Sequence, residues 1–187
     1  MEIICKERVF TLKNGSDVLL HTDADTPMVY VGCGEERVEM YRGNFKLEDH
    51  LLERRPLTLT ATRATQQGTE LDLEGRLKLL VTEKNGAVTL TVTEKAEEIN
   101  RFWLRVEAAE DKHVYGCGEQ MSYFDLRGRH FPLWSSEPGV GRDKTTYVTW
   151  RSNVENGGAG GDYYNTNYPE PTYVSSRHYY LHMDTTA

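Results

Sequence analysis

The stretch RLKLLVTEKNGAVTLTVTEK, residues 76–95, decides the fold. Apolar residues recur at every second position in both of its halves: Leu77, Leu79 and Val81, then Val88, Leu90 and Val92. This period of two is typical of a β-strand with one buried face. Between the halves stands Asn85-Gly86, a pair that tolerates the positive φ angles of a type I′ turn. The stretch therefore predicts a β-hairpin.

The same alternation continues upstream of this hairpin. Leu57, Leu59 and Ala61 alternate with threonines, and Leu71 and Leu73 follow a turn at 66–68. We predict further strands at residues 8–12, 18–21, 28–31, 101–106, 145–150 and 173–183. Many short strands separated by turns are typical of an all-β, antiparallel β-sandwich.

Helical signals are sparse in this chain. KLEDHLLERR, residues 46–55, is the one stretch that we expect to form a short helix, ended by Pro56. The last predicted strand approaches Ala187 without a cap or a polar tail. We therefore expect a single domain, residues 1–187, that is incomplete at its C-terminus.

Composition excludes several classes of function. The 187 residues are 38% hydrophobic and 27% charged, with a net charge of −7, which describes an acidic globular protein. No basic stripe suggests nucleic acid, and no long apolar run suggests a membrane span. Three cysteines without CxxC spacing predict neither disulfides nor a zinc site, and the N-terminus does not resemble a signal peptide. These features indicate a cytoplasmic protein without a cofactor or metal.

Residues 113–171 differ from the rest of the chain. Alternation lapses there, and Gly, Tyr, Trp, Asn and Asp crowd into long connections, which are usually functional in a compact domain. NVENGGAGGDYYNTNYPEPTY, residues 153–173, lacks the spacing of a phosphate-binding loop. We expect it to present Tyr163, Tyr164 and Tyr168 at the surface.

Glu119 and Asp125 are the obvious pair to test as glycosidase carboxylates. Such enzymes need two carboxyl groups about 5 to 9.5 Å apart, and six residues of loop could bring these two that close. The structural alternative is that Glu119 accepts backbone N–H groups while Asp125 pairs with Arg127 or Arg129. The residues alone favour this alternative.

Three other chemistries receive less support. His178 and His182 have metal-ligand spacing only on a helix, whereas we place them with Tyr180 on one face of a strand. Cys117 stands beside Glu119, whose charge would raise the thiol pKa, so we expect a small buried residue rather than a nucleophile. Basic side chains near the loops could attract an anion or could simply be solvated: Arg127, Arg129, Arg142 and Lys144.

Tryptophans and their aromatic neighbours could stack on sugar rings or form core. Trp103 alternates with its neighbours in RFWLRV, residues 101–106, and is expected in the core. Trp134 and Trp150 lie near loops, and either role remains open.

Two long strings carry a resemblance to a known family. HVYGCGEQMSYFDLRGRHFPLWSSEPGVGRDKTTYVTW, residues 113–150, is followed by GGDYY at 160–164 and PEPTYVSS at 169–176. Together they closely resemble the N-terminal domain of glycoside hydrolase family 31, and within it the bacterial sulfoquinovosidases. Segments at 29–51 and 100–106 also match, so the resemblance covers about residues 27–184.

This resemblance implies a division of labour within a longer enzyme. Family members have a galactose mutarotase-like β-sandwich packed on a (β/α)₈ barrel, and both catalytic aspartates and the sulfonate-binding residues lie in the barrel. The parent is then a retaining hydrolase of α-glycosides, sulfoquinovosyl glycerol among them, while the 187-residue chain alone is expected to be inactive.

The resemblance also suggests which residues lie near the substrate. A loop of the sandwich helps form the aglycone side of the pocket, which implies Glu119, with Gln120 and Arg142 as weaker candidates. Asn165 and Asn167 depart from the bulky aromatics expected there. Three alternatives stay open: a free-standing carbohydrate-binding module, the N-terminal domain of a general α-glucosidase, or a purely structural domain.

A second GCGE string stands at VGCGEERVEMYRG, residues 31–43. The first glycine and the Arg-Gly pair are one residue closer here than in YGCGEQMSYFDLRG, residues 115–128, so the two are not copies of one strand unit. We interpret the first as scaffold and the second as the pocket-facing edge.

Overall fold

The structure is a computed structural model that describes residues 1–41, 44–120, 123–130, 133, 147–155 and 166–184. Within these residues the strands are β1 (Glu2–Lys6), β2 (Val9–Asn14), β3 (Asp17–Thr22), β4 (Val29–Tyr41), β5 (Asn44–Leu57), β6 (Leu59–Ala64), β7 (Thr69–Leu73), β8 (Leu77–Lys84), β9 (Ala87–Lys95), β10 (Arg101–Leu104), β11 (Val114–Gly116), β12 (Glu119–Gln120), β13 (Thr166–Asn167), β14 (Thr172–Ser175) and β15 (Tyr179–His182). One helix, α1, spans Tyr147–Glu155. The prediction of an all-β, antiparallel fold is confirmed.

The hairpin that we predicted from residues 76–95 is present as β8 and β9. Asn85 has φ 54° and Gly86 has φ 79°, as a type I′ turn requires. Leu77, Leu79 and Val81 are each 1% exposed, so one face of β8 is fully buried. This hairpin completes a four-stranded antiparallel sheet in the order β6-β7-β8-β9.

The chain divides into two compact units, of which the first comprises Met1–Glu35 and Asp49–Ala109. Strands from three sheets contribute to it, ordered β1-β2-β3, β10-β4-β5 and β6-β7-β8-β9. Most of the buried apolar residues of the described chain lie in this unit, among them Phe10, Met28, Val29, Leu57, Leu59, Leu71 and Leu73, all 0% exposed. Burial of this apolar surface is the main stabilising contribution to the unit.

Strand β4 approaches its neighbours closely at two glycines. A Cβ atom on Gly32 would stand 2.0 Å from the carbonyl oxygen of Glu53, and one on Gly34 would stand 2.9 Å from that of His50. The Asn100 side chain accepts from the Gly34 N–H at 3.0 Å and donates to the Gly34 carbonyl at 2.9 Å. The first GCGE string is therefore a strand in which the missing side chains permit packing.

The second unit comprises Glu36–Glu48 and Glu110–Ala187. Its described elements include a sheet ordered β11-β14-β15, the short pair β12-β13 and α1. Leu126 and Tyr179 are 7% and 9% exposed, and the Lys112 ammonium lies 5.0 Å from the Tyr179 ring centroid. Our expectation of one incomplete domain over residues 1–187 stays a prediction.

Three local predictions were wrong. Residues 46–55 form part of β5 and not a helix, because pairing with β4 overrides the helix propensity of Leu, Glu and Arg. Residues 147–150 begin α1 rather than a strand, while 145–146 lie outside the described residues. Residues 173–183 form two strands, since a turn at 176–178 separates β14 from β15.

The strands predicted at 8–12, 18–21 and 101–106 are confirmed to within two residues by β2, β3 and β10, whereas the strand predicted at 28–31 is the beginning of β4, which continues to Tyr41. No helix in the described part of the chain has the length and apolar character needed to cross a membrane.

Candidate functional site

The second GCGE string forms a left-handed turn between β11 and β12. Gly116, Cys117 and Gly118 have φ angles of 114°, 62° and 91°. The Cys117 N–H donates to the Thr172 carbonyl at 2.7 Å, which ties the turn to β14. A non-glycine residue in this φ region is uncommon, so the conformation of Cys117 is held by its surroundings.

This turn delivers the two candidate residues Glu119 and Gln120 to β12. There they pair antiparallel with Asn167 and Thr166 of β13. The Glu119 side chain is exposed, and its carboxylate accepts no hydrogen bond from the described residues, so the alternative in which it holds its own loop finds no support there. Arg142, the third candidate, lies outside the described residues.

Within the described residues, three hydrogen bonds hold Asp125. Its Oδ2 lies 2.6 Å from His113 Nδ1, while Oδ1 accepts from the backbone N–H of Arg127 at 3.1 Å and of Val114 at 3.3 Å. The His113 bond, followed by the backbone bonds, lowers the pKa of Asp125 to about 2. His113 is a side-chain partner that we did not predict, while Arg127 contributes its backbone N–H. The Arg127 side chain donates to the Lys112 carbonyl at 2.9 Å, and the Arg129 guanidinium lies 4.3 Å from the Tyr123 ring centroid.

These bonds suit Asp125 to organising its loop. A general acid must be protonated near neutral pH, and a carboxyl with a pKa of about 2 is ionised there. Asp125 therefore does not fit the general-acid role of a glycosidase carboxyl.

The cysteine and histidine predictions have mixed outcomes. Cys117 is half-buried, and burial raises the pKa of its thiol, which agrees with a packing role rather than a nucleophile. His178 does not share a strand face with His182, because it lies in the turn before β15 with φ 58°. Within the described ranges no group of three potential ligands could hold a metal ion.

The structure describes three of the aromatic candidates, Trp103, Trp150 and Tyr168. Trp103 is half-buried, with the Arg54 guanidinium 4.8 Å from its ring centroid. Trp150 is 54% exposed on α1 and stacks on Tyr147 at 5.9 Å, whereas Trp134, Tyr163 and Tyr164 lie outside the described residues. Tyr168 is 82% exposed, as predicted.

Sequence reasoning missed the His113–Asp125 pair. The two residues are twelve apart, and nothing in the alternation of residues 113–115 indicates which loop residue β11 meets. Of the bonds to Asp125, only the one from the Arg127 N–H could be recognised from sequence, because Asp commonly accepts a hydrogen bond from the backbone N–H two residues later.

Comparisons with known proteins agree with this fold. The family described as "Glycosyl hydrolase 31 N-terminal galactose mutarotase-like domain" matches residues 6–187. Among curated proteins, a sulfoquinovosidase of Agrobacterium fabrum is 52% identical over 183 residues, which are 95% of this chain and 26% of that protein. A sulfoquinovosidase of Escherichia coli is 41% identical over 183 residues, or 95% of this chain and 27% of that protein.

A solved structure is similar over the whole chain. It is a family 31 sulfoquinovosidase from E. rectale in complex with the aza-sugar inhibitor IFGSQ, with a TM-score of 0.93 and 53% identity, covering 100% of this chain and 28% of that one. The chain therefore spans about a quarter of the length of the relatives that it matches.

Proposed function

Since this chain belongs to the glycosyl hydrolase 31 N-terminal galactose mutarotase-like domain family, we propose that it supports and shapes the substrate pocket of a retaining α-glycosidase of the sulfoquinovosidase type. The observation that carries this proposal is 52% identity to a sulfoquinovosidase over 95% of the chain but only 26% of that relative. A chain that matches only about a quarter of a longer enzyme is consistent with a supporting domain of that enzyme. Its partner is then a (β/α)₈ barrel, and its substrate an α-glycoside of sulfoquinovose.

The chemistry assigned to the barrel follows from the retaining mechanism. One carboxylate attacks the anomeric carbon, and a second carboxyl group protonates the leaving oxygen and then activates water. In this chain Asp125 is ionised and therefore cannot protonate the leaving oxygen, and its Oδ2 is engaged by His113. Glu119 is exposed on β12 and is free to contact the aglycone.

We also propose a cytoplasmic location, which is compatible with three free cysteines.

A chimera tests the proposal directly. The corresponding N-terminal part of the Agrobacterium fabrum sulfoquinovosidase is replaced by this chain, and hydrolysis of 4-nitrophenyl α-sulfoquinovoside is measured. We expect the chimera to turn over the substrate and the 187-residue chain alone to show no turnover. A well-folded but inactive chimera, or activity of the isolated chain that survives repurification, would overturn the proposal.

A further inference from the structure

One face of the β11-β14-β15 sheet presents a row of aromatic side chains. Tyr115 is paired with Val174, and Val174 with Tyr180, so the three side chains share one face. Val174 is 49% exposed and Tyr180 is 65% exposed, whereas Tyr179, on the opposite face, is 9% exposed. We call the exposed side the outer face and define it by His113, Tyr115, Thr172, Val174, Tyr180 and His182.

Rings extend this row beyond the sheet. The Phe124 ring lies 5.0 Å from that of Tyr115 and is 86% exposed, while the His113 ring stacks on Tyr115 at 6.4 Å. Neighbouring strands are about 4.8 Å apart, so Tyr115 and Tyr180 stand roughly 10 Å from each other across β14. That span matches about two linked pyranose rings.

Hydrogen bonds within the outer face determine which of its atoms remain available to accept or donate. Thr172 uses its one hydroxyl proton to donate to Glu170 Oε1 at 3.0 Å, so the 2.7 Å contact with His182 requires His182 Nδ1 to be the donor. Ionised Asp125 likewise requires His113 Nδ1 to be its donor. When such a ring carries a single proton, Nε2 is then an acceptor. No hydrogen bond within the described chain uses these two Nε2 atoms or the hydroxyls of Tyr115 and Tyr180.

The negative charge beside the outer face favours an uncharged ligand over an anionic one. Asp125 and Glu170 are the carboxylates bonded to outer-face side chains, and none of the six defining residues is Lys or Arg. An anionic group would meet these carboxylates without a cation among the six to offset them. An uncharged sugar avoids that cost: its C–H face can lie on an aromatic ring, and its hydroxyls can donate to imidazole nitrogens and pair with phenols.

We propose that the outer face is a surface binding site for an uncharged glycan or polyol. This site is separate from the pocket-shaping role proposed above, and its existence does not depend on that role. Its ligand is also of a different class from the anionic sulfoquinovose implied by the relatives, so the two proposals fail independently.

Titration of the 187-residue chain with maltose tests this site. Heteronuclear NMR should show saturable shifts of the amides of β11, β14 and β15, with a Kd on the order of 1 mM. Phe124→Ala and Tyr180→Ala should each weaken binding by roughly fivefold or more, since each removes one stacking ring. Tyr168→Ala is the matched control, because Tyr168 is 82% exposed but is not part of this sheet. Methyl α-sulfoquinovoside should bind more weakly than maltose.

Several outcomes would overturn the proposal. Maltose could cause no saturable amide shifts, or both ring variants could bind maltose as tightly as the wild type does. Methyl α-sulfoquinovoside could also bind more tightly than maltose. Concentration-dependent self-association that Tyr180→Ala abolishes and maltose leaves unchanged would instead assign the face to a protein contact. Circular dichroism and thermal unfolding establish that each variant is folded before its titration is interpreted.

Thr172→Val provides a second, less disruptive variant. It keeps the ring of His182 but removes the hydroxyl that sets which nitrogen bears the proton. We expect weaker maltose binding together with a changed ¹⁵N shift of the His182 ring. Unchanged binding with an altered tautomer would show that the imidazole acceptor contributes nothing.

Discussion

The tetrapeptide GCGE occurs twice in this chain and serves two opposite purposes. At residues 32–35 it lies within β4, where the missing side chains of Gly32 and Gly34 let neighbouring backbone approach. At residues 116–119 it turns through three successive positive φ angles. Glycine is required in the first place for its small size and in the second for its conformational freedom. Identical short strings therefore do not imply identical structure.

The largest effect is expected from Gly32→Ala. The new Cβ would stand 2.0 Å from the Glu53 carbonyl oxygen, so the backbone of β4 or β5 must shift. We expect a loss of about 3 kcal/mol or more in the free energy of unfolding, measured by urea titration. Glu35→Ala, at an exposed position of the same strand, is the control and should change stability by less than about 0.5 kcal/mol. Equal stabilities of the two variants would contradict the close approach.

Gly116→Ala should have a smaller effect of a different kind. Its φ of 114° is strained for alanine, and its Cβ would stand 2.9 Å from the Thr172 carbonyl oxygen. We expect a loss of about 1–3 kcal/mol in the second unit. Hydrogen exchange of the β14 amides should report it, while the amides of β8 stay protected. A loss of protection spread equally over both strands would contradict a local strain.

The glutamates of the two strings provide the functional comparison. In the chimeric enzyme we expect Glu119→Gln to lower kcat/KM roughly tenfold, about 1.4 kcal/mol, if Glu119 contacts the aglycone. Glu35→Gln is the matched control and should leave kcat/KM unchanged. Equal effects would remove the distinction between scaffold and pocket edge.

The smallest effect concerns the pH dependence of stability near the second string. The pKa of Asp125 is lowered to about 2, whereas an unfolded aspartate titrates near 3.9. Its contribution is therefore fully present above about pH 4 and is lost as pH falls toward 2. Unfolding measured across this range should show a weaker pH dependence in Asp125→Asn than in wild type. An identical profile would show that the His113 bond does not favour the ionised form.

Local patterns accounted for much of the fold. The β8-β9 hairpin could be predicted because both the alternation and the Asn-Gly turn lie within twenty consecutive residues. The segment at 46–55 could not, because its strand state depends on β4, whose pairing outweighs local helix propensity. The break at 176–178 was missed for a different, local reason: the Arg177 N–H donates to Ser175 Oγ at 3.1 Å, in a turn that the β-rich composition of the segment concealed.

The candidate site was less accessible to sequence reasoning. Glu119 was singled out from a motif, but a cysteine in the left-handed region has no compositional signal. The partners of Asp125 and His182 come from residues ten or twelve positions away, and their identity depends on strand register. Tertiary pairing, and not local propensity, places these side chains.

The two-residue turn of the β8-β9 hairpin has a kinetic consequence as well. Joining strands through Asn85-Gly86 closes the shortest of loops, so the chain entropy lost before the first cross-strand contacts form is small. Hairpins of this kind form in about 1–10 μs, long before distant strands can meet. We expect β8 and β9 to be an early nucleus onto which β7 and then β6 add. Asn85→Ala should accordingly slow refolding in stopped-flow experiments more than it accelerates unfolding.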